Sequence, residues 1–292
     1  MTTSEGFIDV TGGKVWHRLA GAGRPGAPLM VLHGRPGAPH DYLEPLEALA
    51  DERPVVFYDQ LGCGNSERPE DPGLWTVARF VAELDQVRAR LGLDRVHLLG
   101  QSWGAMLAVE YLLAAGQGRV LSLILSAPYL SSPRWRADTR AMVAALPPAE
   151  RAAIAACEAS ADYENPAYQA AVDVFYRRHL CRLDPWPECM ERTFAKLGTP
   201  VYHQMWSPSE FTMTGSLAEA DLTGRLGEIA VPALFICGEF DEAAPETTRL
   251  YASLTPGARA EVLAGAAHMH HLEEPGRFLA LVAGFLRQAE AR

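Results

Sequence analysis

Along residues 1–127, short unbroken apolar runs alternate with stretches in which apolar residues recur every three or four positions. The runs "PLMVLHG", "PVVFYDQ", "VHLLG" and "LSLILSAP" have the length and composition of strands. They are apolar at consecutive positions, as expected of strands covered on both faces. Between them, Trp75–Leu91 places Val77, Phe80, Val81, Leu84, Val87 and Leu91 on one helical face. Asp41–Ala50 and Trp103–Ala115 also read as helices. "GFIDV" and "KVWHRL" flank Thr11-Gly12-Gly13, which predicts a hairpin at an antiparallel edge. Strand–helix alternation of this kind predicts a mostly parallel α/β sheet.

The rhythm breaks after residue 127. From about Pro128 to Gly227 there is no core strand pattern; helices are predicted near Arg136–Leu146, Pro148–Cys157, Ala167–His179 and Pro187–Lys196. Strands resume at "VPALFICGEFD" and "AEVLAGAAH", and a last helix runs from Pro275 to about Ala289. The expected organisation is one α/β core in two parts, 1–127 and 228–292, with a helical insertion over 128–227. A glycine-rich run, Gly21 to Gly26, matches G-x-G-x-x-G. It precedes a strand and contains Pro25, so it reads as a loop, not a dinucleotide site.

Composition narrows the partners. The formal charge of −10 disfavours nucleic acid and anionic membrane, both of which require basic patches. The N-terminus lacks the basic start and apolar run of a signal peptide, and no stretch reaches the roughly 18 apolar residues of a membrane span. Five cysteines form no CxxC pair, and their odd number predicts a reducing, cytoplasmic setting.

The stretch "HLLGQSWGAML" carries the candidate chemistry. Gly-x-Ser-x-Gly is weak alone, but here it follows a strand and opens a helix, the context that lifts a serine hydroxyl clear of a sheet. Ser102 is therefore a candidate nucleophile. It needs a base, and the base needs an orienting acid, each at the end of a later strand. "ALFICGEFDE" offers Glu239, Asp241 and Glu242; Asp241 is favoured because the chain should have left the strand there. "AEVLAGAAHMHH" offers His268, His270 and His271; His268 comes first after the turn. An oxyanion requires two donors. The Trp103 N–H follows the nucleophile, and the loop His33-Gly34-Arg35-Pro36-Gly37 offers Gly34 or Arg35, since Pro36 has no N–H. No metal and no cofactor are expected.

The blocks "HGRPGAPHDYLEPL", "FYDQLGCGNSERP", "GQSWGAMLAVEY" and "GEFDEAAPET" resemble the proline iminopeptidases of the α/β-hydrolase superfamily. The resemblance runs from about Pro28 to Pro275 and is weaker in the insertion. It implies the α/β-hydrolase fold, with a mostly parallel eight-stranded sheet, helices on both faces and a helical cap. It also implies a serine aminopeptidase that releases an N-terminal residue, often proline, from a small peptide or amino-acid amide. The family's triad falls on Ser102, Asp241 and His268. Its acidic residues for the substrate's free amine fall on Glu242, directly after the triad aspartate, and on Glu210 of "SEFTMTG". The usual second glycine of the "HGGPG" block is Arg35, a cationic side chain placed to change substrate choice or neutralise a nearby glutamate. Trp206 and Tyr202 are candidates either to wall a proline pocket or to pack the cap.

Two other functions fit parts of the pattern. An esterase, lactone hydrolase or tailoring enzyme of small-molecule metabolism would keep the triad and drop the amine clamp. A catalytically silent binding protein would need none of the triad, which an intact Ser, Asp and His in order argues against.

Overall fold

The computed structural model describes residues 2–291. The chain begins with strands β1 (Thr3–Val10) and β2 (Gly13–Ala20), paired antiparallel as a hairpin at the sheet edge. Strands β3 (Leu29–Leu32), β4 (Val55–Tyr58), β5 (Val96–Gln101) and β6 (Val120–Ser126) follow, separated by helices α1 (Val77–Arg90) and α2 (Trp103–Ala115). The glycine-rich run Gly21–Gly26 is the loop between β2 and β3. Asp41–Asp51 is a run of 3-10 turns rather than the α-helix expected there; Pro45 within it has no N–H to give an α-helical ladder.

Between β6 and the next core strand come helices α3 (Ser132–Ala144), α4 (Pro148–Ser160), α5 (Pro166–His179), α6 (Glu188–Ala195) and α7 (Thr199–Met205). Two dipeptide strands, β7 (Pro208–Ser209) and β8 (Thr212–Met213), then form a small ribbon. Helix α3 starts four residues before its expected position, with Pro133 in the first turn, where a proline costs no hydrogen bond. Helix α7 was not expected from periodicity; at seven residues it is too short to show one. The core resumes with β9 (Ala233–Gly238), α8 (Pro245–Leu254), β10 (Arg259–Leu263), α9 (His270–Glu273) and α10 (Pro275–Glu290). No helix among the described residues is long and apolar enough to cross a membrane.

The sheet has eight strands in the order β1-β2-β4-β3-β5-β6-β9-β10, parallel from β4 onward. Its central strands are buried along their whole length, and alternate residues feed two cores. Met30, Leu32, Val56, Leu98 and Leu123 face the core shared with α1 and α2. Leu29, Val31, Val55, Leu99 and Ile124 face the core shared with the 3-10 segment and α10. This is why the strands read as continuous apolar runs. From β3 the chain steps one way to β4 and returns on the other side to β5. The loops after β3 and β5 therefore flank a crevice at the carboxyl ends of the strands, the usual ligand site of such a sheet.

Part of the inserted segment has a core of its own: Leu146, Ile154, Cys157, Tyr168, Ala171, Val172, Phe175 and Phe211 pack together. Val201, Tyr202, Met205 and Trp206 instead join the main core. Truncating the fully buried Phe175 should remove much of the smaller core. Phe175→Ala is expected to destabilise the protein by about 3–5 kcal/mol in urea unfolding; a loss below about 1 kcal/mol would mean that this cluster does not hold the segment together.

Candidate active site

Strand β5 ends in a turn that only particular residues permit. Ser102 has φ +54° and ψ −116°, a conformation that strains a residue with a β-carbon. A β-carbon added to Gly100 would lie 2.2 Å from Gly104 O, and one added to Gly104 would lie 2.2 Å from Leu32 O. Both glycines are thus required by backbone-to-backbone approach. Helix α2 begins at the next residue, so the Trp103 N–H is among the donors that a first helical turn leaves without an internal partner. The Trp103 indole donates to Gln60 Oε1 at 3.0 Å, which ties this helix to the loop after β4.

The loop after β3 lies against the same turn. A β-carbon on Gly34 would come within 2.9 Å of Ser102 Cβ. The Gly34 N–H donates to Tyr42 Oη at 2.7 Å, and that hydroxyl donates to Gln101 Oε1 at 2.7 Å. The Gly34 N–H, one of the two loop donors considered for an oxyanion, is thus paired with Tyr42 in this structure. The two sequence blocks that flank the crevice also hold each other. Gln60 N–H donates to His33 Nε2 at 2.9 Å, and burial lowers the His33 imidazole to about 4, keeping it a neutral acceptor. Asp59 accepts from the His40 backbone N–H and pairs with His40 Nδ1 at 2.7 Å.

At the ends of β9 and β10, His268 Nδ1 lies 2.7 Å from Asp241 Oδ1. Asp241 also accepts from the Ala243 and Gly238 N–H groups, at 2.8 and 3.1 Å. Burial opposes its charge, but His268 and His270 outweigh that cost and hold the carboxyl well below the usual range. Burial likewise opposes a charge on His268, yet the carboxylates of Asp241, Glu242 and Glu210 lift it to about 9. Glu239, the other acid considered, accepts from Gly265 N–H instead. Of the remaining histidines, His270 meets Ser126 Oγ through Nε2 at 2.8 Å and lies 3.6 Å from Asp241 Oδ2 through Nδ1, and His271 Nε2 meets Tyr42 O at 3.0 Å. The His268 and Met269 N–H groups donate to His179 O and Leu180 O, so the end of α5 clasps this loop.

Ser102, His268, Glu242, Glu210 and Arg35 line one cavity, walled on its apolar side by Leu180, Met190, Phe194, Leu197 and Met269. No hydrogen bond joins Ser102 Oγ to His268 among the described residues, although both line this space; such bonds commonly tighten only when substrate binds. Glu242 is buried, its Oε1 is 3.7 Å from His268 Nε2, and neither of its oxygens has a hydrogen-bond partner. Burial pushes its carboxyl up, aided by the nearby charges of Glu210 and Asp241. Glu210 sits in the turn of the β7–β8 ribbon, positioned by Trp135 of α3, whose indole donates to Glu210 O at 2.7 Å. Its carboxylate is paired with Arg35, Nη2 to Oε1 at 2.6 Å.

Trp206 and Tyr202 do not line the cavity. Trp206 packs edge-on with Tyr129 and Trp135, and its indole donates to Ser209 O. Tyr202 lies under the Arg35 guanidinium, 4.6 Å from ring centroid to Cζ. Trp135, Tyr42 and Gln101 were not singled out from the sequence. Nothing local marks them, since each acts through a partner distant along the chain.

A mostly parallel eight-stranded sheet, a serine on a strained strand–helix turn and a following acid–imidazole pair define an α/β-hydrolase. The alpha/beta hydrolase fold family model matches residues 27–275. A proline iminopeptidase of Heyndrickxia coagulans is 45% identical over 284 residues, covering 97% of this chain and 98% of that protein. The crystal structure of a proline iminopeptidase from Mycobacterium smegmatis superposes with a TM-score of 0.91 at 37% identity, covering 99% of each chain. The structure of VinJ superposes with a TM-score of 0.93 at 34% identity, covering 98% of this chain and 99% of that one. The chain belongs to the proline iminopeptidase family of the α/β-hydrolase superfamily.

The imidazole–carboxylate pair links stability to pH. An imidazole titrates near 6.5 in an unfolded chain, whereas His268 is lifted to about 9 in the folded one. The native state holds this proton more tightly, so the contribution is complete below pH 6.5 and is lost as pH rises through 9. The unfolding free energy of the native protein is expected to fall across that window, and to fall less steeply in His268→Gln. Equal slopes for the two proteins in urea titrations from pH 6 to 10 would contradict the raised value.

Proposed function

We propose that this protein is a serine aminopeptidase that releases an N-terminal residue, proline by preference, from a small peptide or amino-acid amide. The observation that carries this reading is Glu242: a buried carboxyl, without a hydrogen bond on either oxygen, in the same cavity as Ser102 and His268. A buried acceptor without a donor costs about 1–3 kcal/mol. A substrate ammonium supplies that donor, together with the charge that stabilises the carboxylate.

In this reading Ser102 Oγ attacks the first carbonyl of the substrate and His268 takes its proton. Asp241 orients the imidazole and stabilises the imidazolium. The Trp103 and Arg35 N–H groups bind the oxyanion. His268 then protonates the leaving amine, the acyl-enzyme forms, and water hydrolyses it by the same steps in reverse roles. The ammonium has a second effect. A positive charge beside Glu242 opposes the field that holds the His268 proton, so substrate binding lowers the imidazole toward the range of an effective base. The segment 128–227 serves as a cap that carries Glu210 over the site. All five cysteines are free, which supports a cytoplasmic setting.

The test compares a prolyl arylamide bearing a free amine with its N-acetylated twin. The free amine should be hydrolysed with a kcat/KM at least about 100-fold higher, and Glu242→Gln should remove about 10- to 100-fold of that advantage, the worth of a charge-assisted hydrogen bond. Equal rates on the two arylamides, or cleavage of simple aryl esters alone, would replace this reading with an esterase or tailoring hydrolase that uses Ser102.

A further inference from the structure

Arg35 occupies a backbone position with φ +36°, a region that favours glycine, so its side chain is kept there against a conformational cost. Nε and Nη2 both reach Glu210 Oε1, at 2.7 and 2.6 Å. Nη2 also donates to Tyr176 Oη at 2.6 Å and to Tyr202 Oη at 3.4 Å. The guanidinium lies 4.6 Å from the centroid of Tyr202, 5.5 Å from that of Phe194 and 5.6 Å from that of Tyr176. Such a cage of rings and a carboxylate is how proteins hold a ligand cation. Here the cation is internal, and it stands at the wall of the cavity that holds Ser102 and Glu242.

The two candidate amine-binding carboxylates are therefore unequal. Glu210 has its charge balanced by Arg35 through hydrogen bonds, while Glu242 has no hydrogen-bond partner and only the titratable His268 imidazole near it, at 3.7 Å. A substrate ammonium brought to Glu210 would also meet the guanidinium, and like charges at that range repel. We infer that Arg35 is a specificity-determining residue that withholds Glu210 from the substrate, so that the ammonium is bound by Glu242 alone. This rests on the aminopeptidase reading above. It makes the site one negative charge poorer than a glycine at position 35 would, and so less demanding of a free amine.

Two single variants test this, and both keep the backbone N–H at position 35. Arg35→Gly removes charge and bulk; Arg35→Met removes charge and keeps bulk. Each is expected to lower KM for the free-amine prolyl arylamide about tenfold relative to that for its N-acetylated twin, as Glu210 becomes a second anchor. Adding Glu210→Gln to either variant should return KM to the native value or above. An unchanged or higher KM in both single variants overturns the inference, as does a gain that survives Glu210→Gln. If Arg35→Gly fails to fold, Arg35→Met with its double variant decides alone. The N-acetylated twin separates the two levels of the argument. A native enzyme without free-amine preference defeats the aminopeptidase reading. A native enzyme with that preference, but with Arg35 variants of unaltered KM, defeats only the role given to Arg35.

Discussion

Four ionisable side chains, Arg35, Glu210, Glu242 and His268, line one cavity and a fifth, Asp241, stands behind His268; all but the half-buried Arg35 are buried. Taking one such charge out of water costs several kcal/mol unless an opposite charge and hydrogen bonds compensate it. Four of the five find that compensation within the protein: Arg35 with Glu210, and His268 with Asp241. Glu242 makes no hydrogen bond and has only His268 Nε2 at 3.7 Å, too little to offset its burial, and its carboxyl is displaced upward. The amine recognition proposed for the site follows from this imbalance, because a small cation would supply both the missing hydrogen bond and the opposite charge.

Holding these groups in place takes structure from every part of the chain. The sheet supplies the positions of Ser102, Asp241 and His268 at the carboxyl ends of β5, β9 and β10. The backbone around Ser102 approaches so closely that Gly34, Gly100 and Gly104 have no room for a side chain. The inserted segment supplies the rest. Trp135 fixes the turn that bears Glu210, Tyr168 donates to Ser209 Oγ beside it, and the end of α5 accepts the His268 N–H. Arg35 then joins sheet to insertion, since its backbone belongs to the loop after β3 and its side chain is enclosed by Tyr176, Phe194 and Tyr202. The same residue thus couples the position of the inserted helices to the electrostatics of the site.

Much of this was legible in the sequence, for identifiable reasons. The strands stood out because both faces of each are covered, which leaves a run such as "LMVL" no polar position. Ser102, Asp241 and His268 stood out because strand–turn rhythm and chain order locate them without any long-range information. Helix α7 did not, being too short for a period, and Pro45 turned an expected helix into 3-10 turns. The expected oxyanion donors were read only as far as a loop. That the Gly34 N–H is paired depends on Tyr42, whose hydroxyl comes eight residues later to take it.

The sequence by itself determined the α/β architecture, the order of the candidate nucleophile, acid and base, and the presence of a cation where a glycine is usual. These are local properties: periodicity, turn chemistry and motif spacing act over a few residues. Tertiary structure alone decided the partnerships. That Arg35 pairs with Glu210, 175 residues away, and that Glu242 is left without a hydrogen bond, depends on how the residues between β6 and β9 pack against the loops of the sheet. Charge pairing across such separations is set by packing, because a buried carboxylate takes whichever cation the fold brings within hydrogen-bond reach.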